Sequence, residues 1–228
     1  MNKKIQLLDL GNKDYKDTWD YQEELFKEIV DIKVQNRQSN FQLPTPNFLL
    51  YVEHPHVYTL GKSGDVSNLL LSEKQLEAKG ATFYKINRGG DITYHGPGQI
   101  VGYPIFDLDK FHLGLKDYIY KVEEAVILTL AHYGITATRL EHATGVWLDV
   151  ESATRCRKIC AIGVKSSRFV TMHGFALNVN TDLTYFKNIN PCGFIDKGVT
   201  SIEQELGRKL DLLEVESVLT KFFKQLFC

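Results

Sequence analysis

The chain has 228 residues, 43% of them hydrophobic and 24% charged, with a formal charge of −1. This balance lacks the basic excess of a nucleic-acid footprint, and no stretch approaches the ~18 uninterrupted apolar residues of a membrane span. The apolar share is ample for a buried core. No linker, low-complexity tract or internal repeat divides the chain, so residues 1–228 read as a single domain.

In chain order, the basic start Met1-Asn2-Lys3-Lys4 is followed by Gln6 and Asp9, so no apolar stretch of a secretory leader forms. Residues 14–35 predict a helix, with Asp14 or Asp17 as its cap and Trp19, Leu25, Phe26, Ile29 and Val30 near one face. Residues 48–53 predict a strand ending at a His-Pro break. Residues 72–80 predict a short helix with a Ser cap and a Gly stop. A short strand at 83–86 feeds a glycine-rich loop, and a strand at 100–106 leaves it. Residues 116–133 carry the strongest helical pattern, with Ile119, Val122, Val126, Leu130 and Tyr133 as an apolar stripe and Gly134 as the stop. Antiparallel strands follow at 144–150, 158–165, 169–171 and 174–179. A short helix is expected at 182–189, and further helices from 201 to about 226. Strands and helices do not alternate strictly, which predicts an α+β fold.

Four cysteines stand at 156, 160, 192 and 228. No Cys-x-x-Cys pair occurs, and no set of His or carboxylates shows metal-ligand spacing, so no metal is expected. Reduced thiols in a cytoplasmic protein are the economical reading. Cys192 differs from the others because Pro191-Cys192-Gly193 is a turn that would expose it. Arg155, Arg157, Lys158, Lys165 and Arg168 cluster around one strand pair, either as a solvated face or as a docking surface for an acidic partner.

The most informative stretch is Arg88-Gly89-Gly90-Asp91-Ile92-Thr93-Tyr94-His95-Gly96-Pro97-Gly98-Gln99. Glycine lets backbone approach a ligand closely, and proline fixes the path of the chain. The density of both beside Arg, His and Gln points to a shaped binding loop. A tight hairpin whose glycines serve only the turn is the alternative.

This stretch resembles the signature of the lipoyl(octanoyl) transferases. So, in order, do Glu53 to Gly61, Arg157 to Val164, His173 to Val179, Pro191-Cys192-Gly193 and Val199-Thr200-Ser201. The match spans roughly residues 15–215. It implies a mixed, mostly antiparallel sheet flanked by helices, like the catalytic domains of biotin protein ligases and lipoate protein ligases. It also implies transfer of an octanoyl group from octanoyl-acyl carrier protein to the lipoyl-domain lysine of 2-oxoacid dehydrogenase complexes or of the glycine-cleavage carrier protein. No cofactor is implied, because the donor is already a thioester.

The resemblance makes Cys192 the candidate nucleophile and places the family's lysine at Lys158. An ammonium beside a thiol favours the thiolate. Once neutral, the same lysine can accept a proton from an incoming amine. A reference value of ~10.4 leaves a lysine protonated at neutral pH, so that role asks for partial burial. Without the resemblance, Lys158 reads as a solvated strand lysine. Residues Arg88 to His95, Ala161, Ile162, Gly163, Gly174, Phe175 and Ala176 are implied as the substrate pocket. His95 is either an acid–base group or a structural hydrogen-bonding residue. Cys160 stands where a small apolar residue is commoner and is expected to be packed and inert. Lys165 stands where arginine is frequent, which removes a bidentate contact. An amidotransferase between lipoyl proteins, an ATP-dependent lipoate ligase and a non-catalytic lipoyl-binding module are the alternatives.

Overall fold

The computed structural model describes residues 3–190 and 197–228. Among them, strands β1 (Ile5–Asn12), β2 (Asn47–Glu53), β6 (Gln99–Ile105), β7 (Thr138–Leu140), β8 (Ala143–Leu148), β9 (Arg157–Ser167), β10 (Val170–Asn178) and β11 (Gly198–Val199) form one sheet. Its order is β1-β2-β6-β10-β9-β8-β7, with β11 beside β9. Strands β3 (Val57–Leu60), β4 (Thr82–Lys85) and β5 (Ile92–His95) form a second, small sheet in the order β4-β3-β5. The pairs β1–β2, β3–β4 and β9–β11 are parallel and the rest are antiparallel. This is the mixed, mostly antiparallel sheet the sequence led us to expect.

Every residue of β6 and β10 is buried. Strands covered on both faces lose the apolar–polar alternation of half-exposed ones. One face packs under α1 (Tyr15–Gln38), where Leu25, Phe26 and Ile29 meet Phe48, Leu50, Val101, Tyr103 and Met172. The other packs under α4 (Leu115–His132) and α6 (Leu212–Phe227), where Val122, Val126 and Leu130 meet Phe175, Leu177, Leu219 and Phe223. Asp14 caps α1 by accepting from the backbone N–H of Lys16 at 2.7 Å. The short helices α2 (Glu73–Ala78), α3 (Leu108–Phe111) and α5 (Ile202–Leu206) complete the set.

Two local expectations change, and one edge strand had no counterpart in the sequence reading. Val170–Asn178 is one strand where two, at 169–171 and 174–179, were expected, and it is carried through His173 at φ 58°. Residues 182–189 form a 3-10 turn, Leu183–Asn188, rather than an α-helix. Strand β1 carries no clean alternation, and it forms at the sheet edge by pairing with β2 over residues about 40 positions away.

Candidate active site

A cavity of about 590 Å³ opens between the α1-side face of the large sheet and the loop of residues 86–91. Its floor is made of inward residues on three adjacent strands: Gln99, Val101 and Tyr103 of β6, Gly174, Ala176 and Asn178 of β10, and Ala161 and Gly163 of β9. Small side chains in the middle of this floor leave the space. Gly163 is required by a close approach: a Cβ there would lie 2.8 Å from the Gly89 carbonyl oxygen.

The loop is held by backbone bonds on both sides. Gly89 N–H donates to Val164 O at 2.9 Å, while Gly61 and Lys62 N–H donate to Asp91 and Arg88 carbonyls at 3.1 and 3.0 Å. The Arg88 guanidinium is turned inward, with Nη2 donating to Thr59 O at 2.7 Å and Nη1 to Gly89 O at 3.0 Å. Asp91 Oδ2 accepts from Asn68 Nδ2 at 2.7 Å. Arg88 and Asp91 therefore shape the loop as well as lining the cavity.

His95 sits in a chain whose proton positions follow from its ends. Asn178 Nδ2 donates to Thr200 O at 3.0 Å, so its Oδ1 accepts from Gln99 Nε2 at 2.8 Å. Gln99 Oε1 is then the acceptor for His95 Nδ1–H at 2.9 Å. Nε2 of His95 carries the lone pair, 3.5 Å from Thr59 Oγ1. Burial, helped by neighbouring His54 and Arg88, lowers the His95 imidazole to about 3. An imidazole that weakly basic is a poor proton acceptor near neutrality. The buried chain through Gln99 and Asn178 holds the His95 ring in place on the cavity wall.

Lys158 lines the same cavity from β9. Its Nζ lies 4.5 Å from the centre of the Trp147 ring, and the Trp147 indole N–H donates to Ala143 O at 3.0 Å. Gly145, at φ 123°, is required by a close backbone approach on the neighbouring strand: a Cβ there would lie 2.6 Å from Cys160 O. The buried Glu123 carboxylate fixes that glycine, accepting from Gly145 N–H at 3.0 Å and from Arg139 Nε at 2.9 Å.

Cys192, with Pro191 and Gly193, lies outside the described residues. Both flanks of that segment meet the cavity. Phe186 and Ile189 line it on one side, and Lys197, Gly198 and Val199 on the other. Leu70 N–H donates to Asn188 O at 2.9 Å and Asn190 N–H to Asn68 O at 2.9 Å, while Thr200 N–H donates to Lys158 O at 2.9 Å. Cys160 is fully buried in the apolar core under α4, and burial pushes its thiol well above the usual range.

Of the other residues implied for the pocket, Gly90, Ile92, Thr93, Ile162 and Phe175 line the cavity. Tyr94 does not. Its ring packs against Tyr58, Tyr185 and Phe186, and its hydroxyl meets His56 Nδ1 at 2.6 Å. The basic cluster is divided: Arg157 pairs with Asp149 and Glu205, and Lys165 with Glu23. Trp147, Tyr15 and Tyr103 line the cavity without a signal in the sequence, because each reaches it from a separate element, and Asn178 lines it from within the His173 to Val179 motif without having been singled out. Among the described residues, no group of three or more His, Cys, Asp or Glu is placed to hold a metal ion, and no helix is long and apolar enough to cross a membrane.

Residues 14–224 match the model of the lipoyl protein ligase A/B catalytic domain. The chain belongs to that family. An octanoyltransferase of Flavobacterium johnsoniae is 66% identical over 228 residues, covering 100% of this chain and 98% of the relative. The octanoyltransferase of Flavobacterium psychrophilum is 67% identical over the same lengths. Within the lipoyl protein ligase A/B family the chain thus groups with the octanoyltransferases, and like them it is an acyltransferase. The fold is shared with a bipartite lipoate protein ligase from Thermoplasma acidophilum, at a TM-score of 0.69 and 16% identity over 97% of this chain and 83% of that one. A lipoate-protein ligase A solved with bound ATP gives 0.66 and 17%, over 99% and 85%.

Proposed function

We propose that this family member transfers an octanoyl group from octanoyl-acyl carrier protein to the lysine of a lipoyl domain, the first step of endogenous protein lipoylation. The acceptors are the lipoyl domains of 2-oxoacid dehydrogenase complexes and the glycine-cleavage carrier protein. Residues 1–228 act as one catalytic domain in the cytoplasm. The observation that carries the reading is Lys158 on the wall of a cavity floored by small residues, in a chain two-thirds identical to octanoyltransferases.

In the first half-reaction, the Cys192 thiolate attacks the donor's thioester carbonyl. The bond from that carbonyl to the phosphopantetheine sulfur breaks, and Lys158 gives the departing sulfur a proton. Exchange of one thioester for another is nearly isoenergetic, so no nucleotide is consumed. In the second, the acceptor amine attacks the Cys192 thioester and passes its proton to the now neutral Lys158. The C–N bond forms, and Cys192 leaves as thiolate beside a regenerated ammonium. The loop of residues 88–95 with Ala161 to Gly163 and Gly174 to Ala176 holds the acyl thioester.

The test is intact mass after incubation with octanoyl-acyl carrier protein, followed by a lipoyl domain, in chelator and without nucleotide. A hydroxylamine-labile octanoyl adduct on Cys192 that passes to the lipoyl domain supports the reading. Strict ATP dependence makes the protein a ligase. Loading only from an octanoylated lipoyl protein makes it an amidotransferase. Tight acyl binding with no adduct makes it a binding module.

A further inference from the structure

Several polar groups on the cavity wall spend their protons on the protein itself. His54 Nδ1 faces the Lys13 carbonyl at 2.7 Å and must donate to it, so its Nε2 accepts the Tyr103 hydroxyl proton at 2.8 Å. His95 Nδ1–H goes to Gln99. Asn87 Nδ2 donates to Glu23 Oε1 at 3.2 Å, so Asn87 Oδ1 is the acceptor for His173 Nε2–H at 2.7 Å. Tyr15 differs. It lines the cavity and is only 2% exposed, yet its hydroxyl makes no hydrogen bond with any described residue. Its ring is clamped: it stacks on Tyr84 and on His95, with centroids 5.8 Å apart in each pair, and His54 lies 5.1 Å away. Burial holds the phenol protonated, and the charge of Arg88, on the same wall, acts on it in the opposite sense.

A chain of hydrogen bonds relates that hydroxyl to Lys158. Thr200 N–H donates to Lys158 O at 2.9 Å, and Asn178 Nδ2 donates to Thr200 O at 3.0 Å. Gln99 Nε2 donates to Asn178 Oδ1 at 2.8 Å, and His95 Nδ1–H to Gln99 Oε1 at 2.9 Å. The chain starts on β9, crosses to β10 and β6, and ends on the ring that stacks with Tyr15. Lys158 and Tyr15 therefore flank the same end of the cavity. A bound acyl group offers a donor one good acceptor, its carbonyl oxygen, because the rest is hydrocarbon. A phenol enclosed against hydrocarbon with no acceptor is costly. The acyl group is held best with its carbonyl at Tyr15, which is the end where Lys158 stands.

We infer that Tyr15 is a further catalytic residue: its O–H donates to the carbonyl oxygen of the acyl group and to the oxyanion that forms there. This rests on the acyl-transfer reading above. When the thiolate attacks, the new C–S bond forms and the carbonyl π pair moves onto oxygen. Tyr15 keeps its proton and donates a hydrogen bond to that charge, and the Arg88 cation strengthens the field. The pair returns to carbon as the bond to the departing sulfur breaks. Attack by the acceptor amine places charge on the same oxygen in the second half-reaction. A hydrogen bond to an oxyanion is stronger than one to a neutral carbonyl, so the contact gains strength in the transition state.

The experiment compares wild type with Tyr15→Phe, which removes the hydroxyl and keeps the ring stack. Single-turnover acylation by octanoyl-acyl carrier protein, read by intact mass, should slow about 10²-fold at saturating donor, as loss of one oxyanion donor does. The half-saturating donor concentration should barely move, and the melting temperature should not fall, because the hydroxyl bonds no described part of the protein. A second readout uses octanamide labelled with ¹³C at its carbonyl, which binds without reacting. Its carbonyl stretch should lie at lower frequency on wild type than in an apolar solvent, and should move back up on Tyr15→Phe. Acylation at the wild-type rate by folded Tyr15→Phe, or the same carbonyl band on both proteins, overturns the role of Tyr15 and leaves the acyl site standing. Absence of both an adduct and octanamide binding in wild type overturns the acyl-transfer reading itself.

Discussion

The Lys158 ammonium rests 4.5 Å from the centre of the Trp147 indole ring, on the wall of the cavity. An aromatic face favours a cation over a neutral amine by about 0.5–2 kcal/mol, depending on its desolvation. The contact therefore favours the form of Lys158 that supports a thiolate, and it fixes where the nitrogen points. Trp147→Leu removes the ring and keeps an apolar filling. The limb of the pH–rate profile that follows the lysine should then move to lower pH, and kcat should fall about tenfold. Trp147→Phe should restore part of both. A rate profile that keeps its shape in a folded Trp147→Leu protein would reduce the ring to a packing element.

The thiols should separate cleanly. Cys192→Ala is expected to abolish acyl-adduct formation in a protein whose circular dichroism is unchanged. Cys160→Ala should keep the adduct, because Cys160 is enclosed in the core and its thiol is held protonated by burial. Intact mass with hydroxylamine treatment reads both. A labile adduct that survives Cys192→Ala and disappears in Cys160→Ala would exchange their roles.

Lys158→Arg separates charge from proton transfer. An arginine still favours a thiolate, but it cannot be deprotonated at usable pH. Self-acylation should persist at a reduced rate, and transfer to a lipoyl domain should slow by about 10²–10⁴-fold, the cost of losing a positioned acid–base group. Single-turnover rates for each half-reaction check this. Near-normal transfer from the pre-acylated variant would remove Lys158 as the base.

Three buried imidazoles make the fold sensitive to acid. Burial lowers His54 to about 4 and His95 and His173 to about 3, against 6.5 for an exposed histidine. Below pH 6.5 the unfolded chain binds protons that the folded chain refuses, so stability is present above that pH and is lost as pH falls toward 4. Between these limits the three imidazoles add up to three protons to the slope of unfolding free energy against pH, and Glu216, raised to about 7 by burial, takes back up to one. Urea unfolding at half-unit steps from pH 7.5 to 4.5 measures it, and His95→Gln should remove one proton from the slope. A flat dependence above pH 5 would mean that the imidazoles charge within the fold.

What the sequence determined on its own was local or carried in contiguous motifs. The Asp14 cap, the apolar stripe of α4 and the Ser72 start of α2 all depend on neighbours within a turn or two, where spacing is a direct record of geometry. The ordered motifs likewise brought Arg88, Lys158, Gly163 and Ala176 forward as one set. Only the tertiary structure decided what those residues face. Tyr94 lies inside the signature loop yet turns away, because a tyrosine cluster and His56 from other segments claim its ring and hydroxyl. Trp147 reaches Lys158 across a bulged β8–β9 pairing. The tautomers of His95 and His173 depend on hydrogen-bond chains that close through Thr200, more than 100 residues from His95, and through Glu23, 150 residues from His173. Partners that far apart meet only when the sheet has formed, and a buried polar group takes its character from whichever partner the fold brings to it.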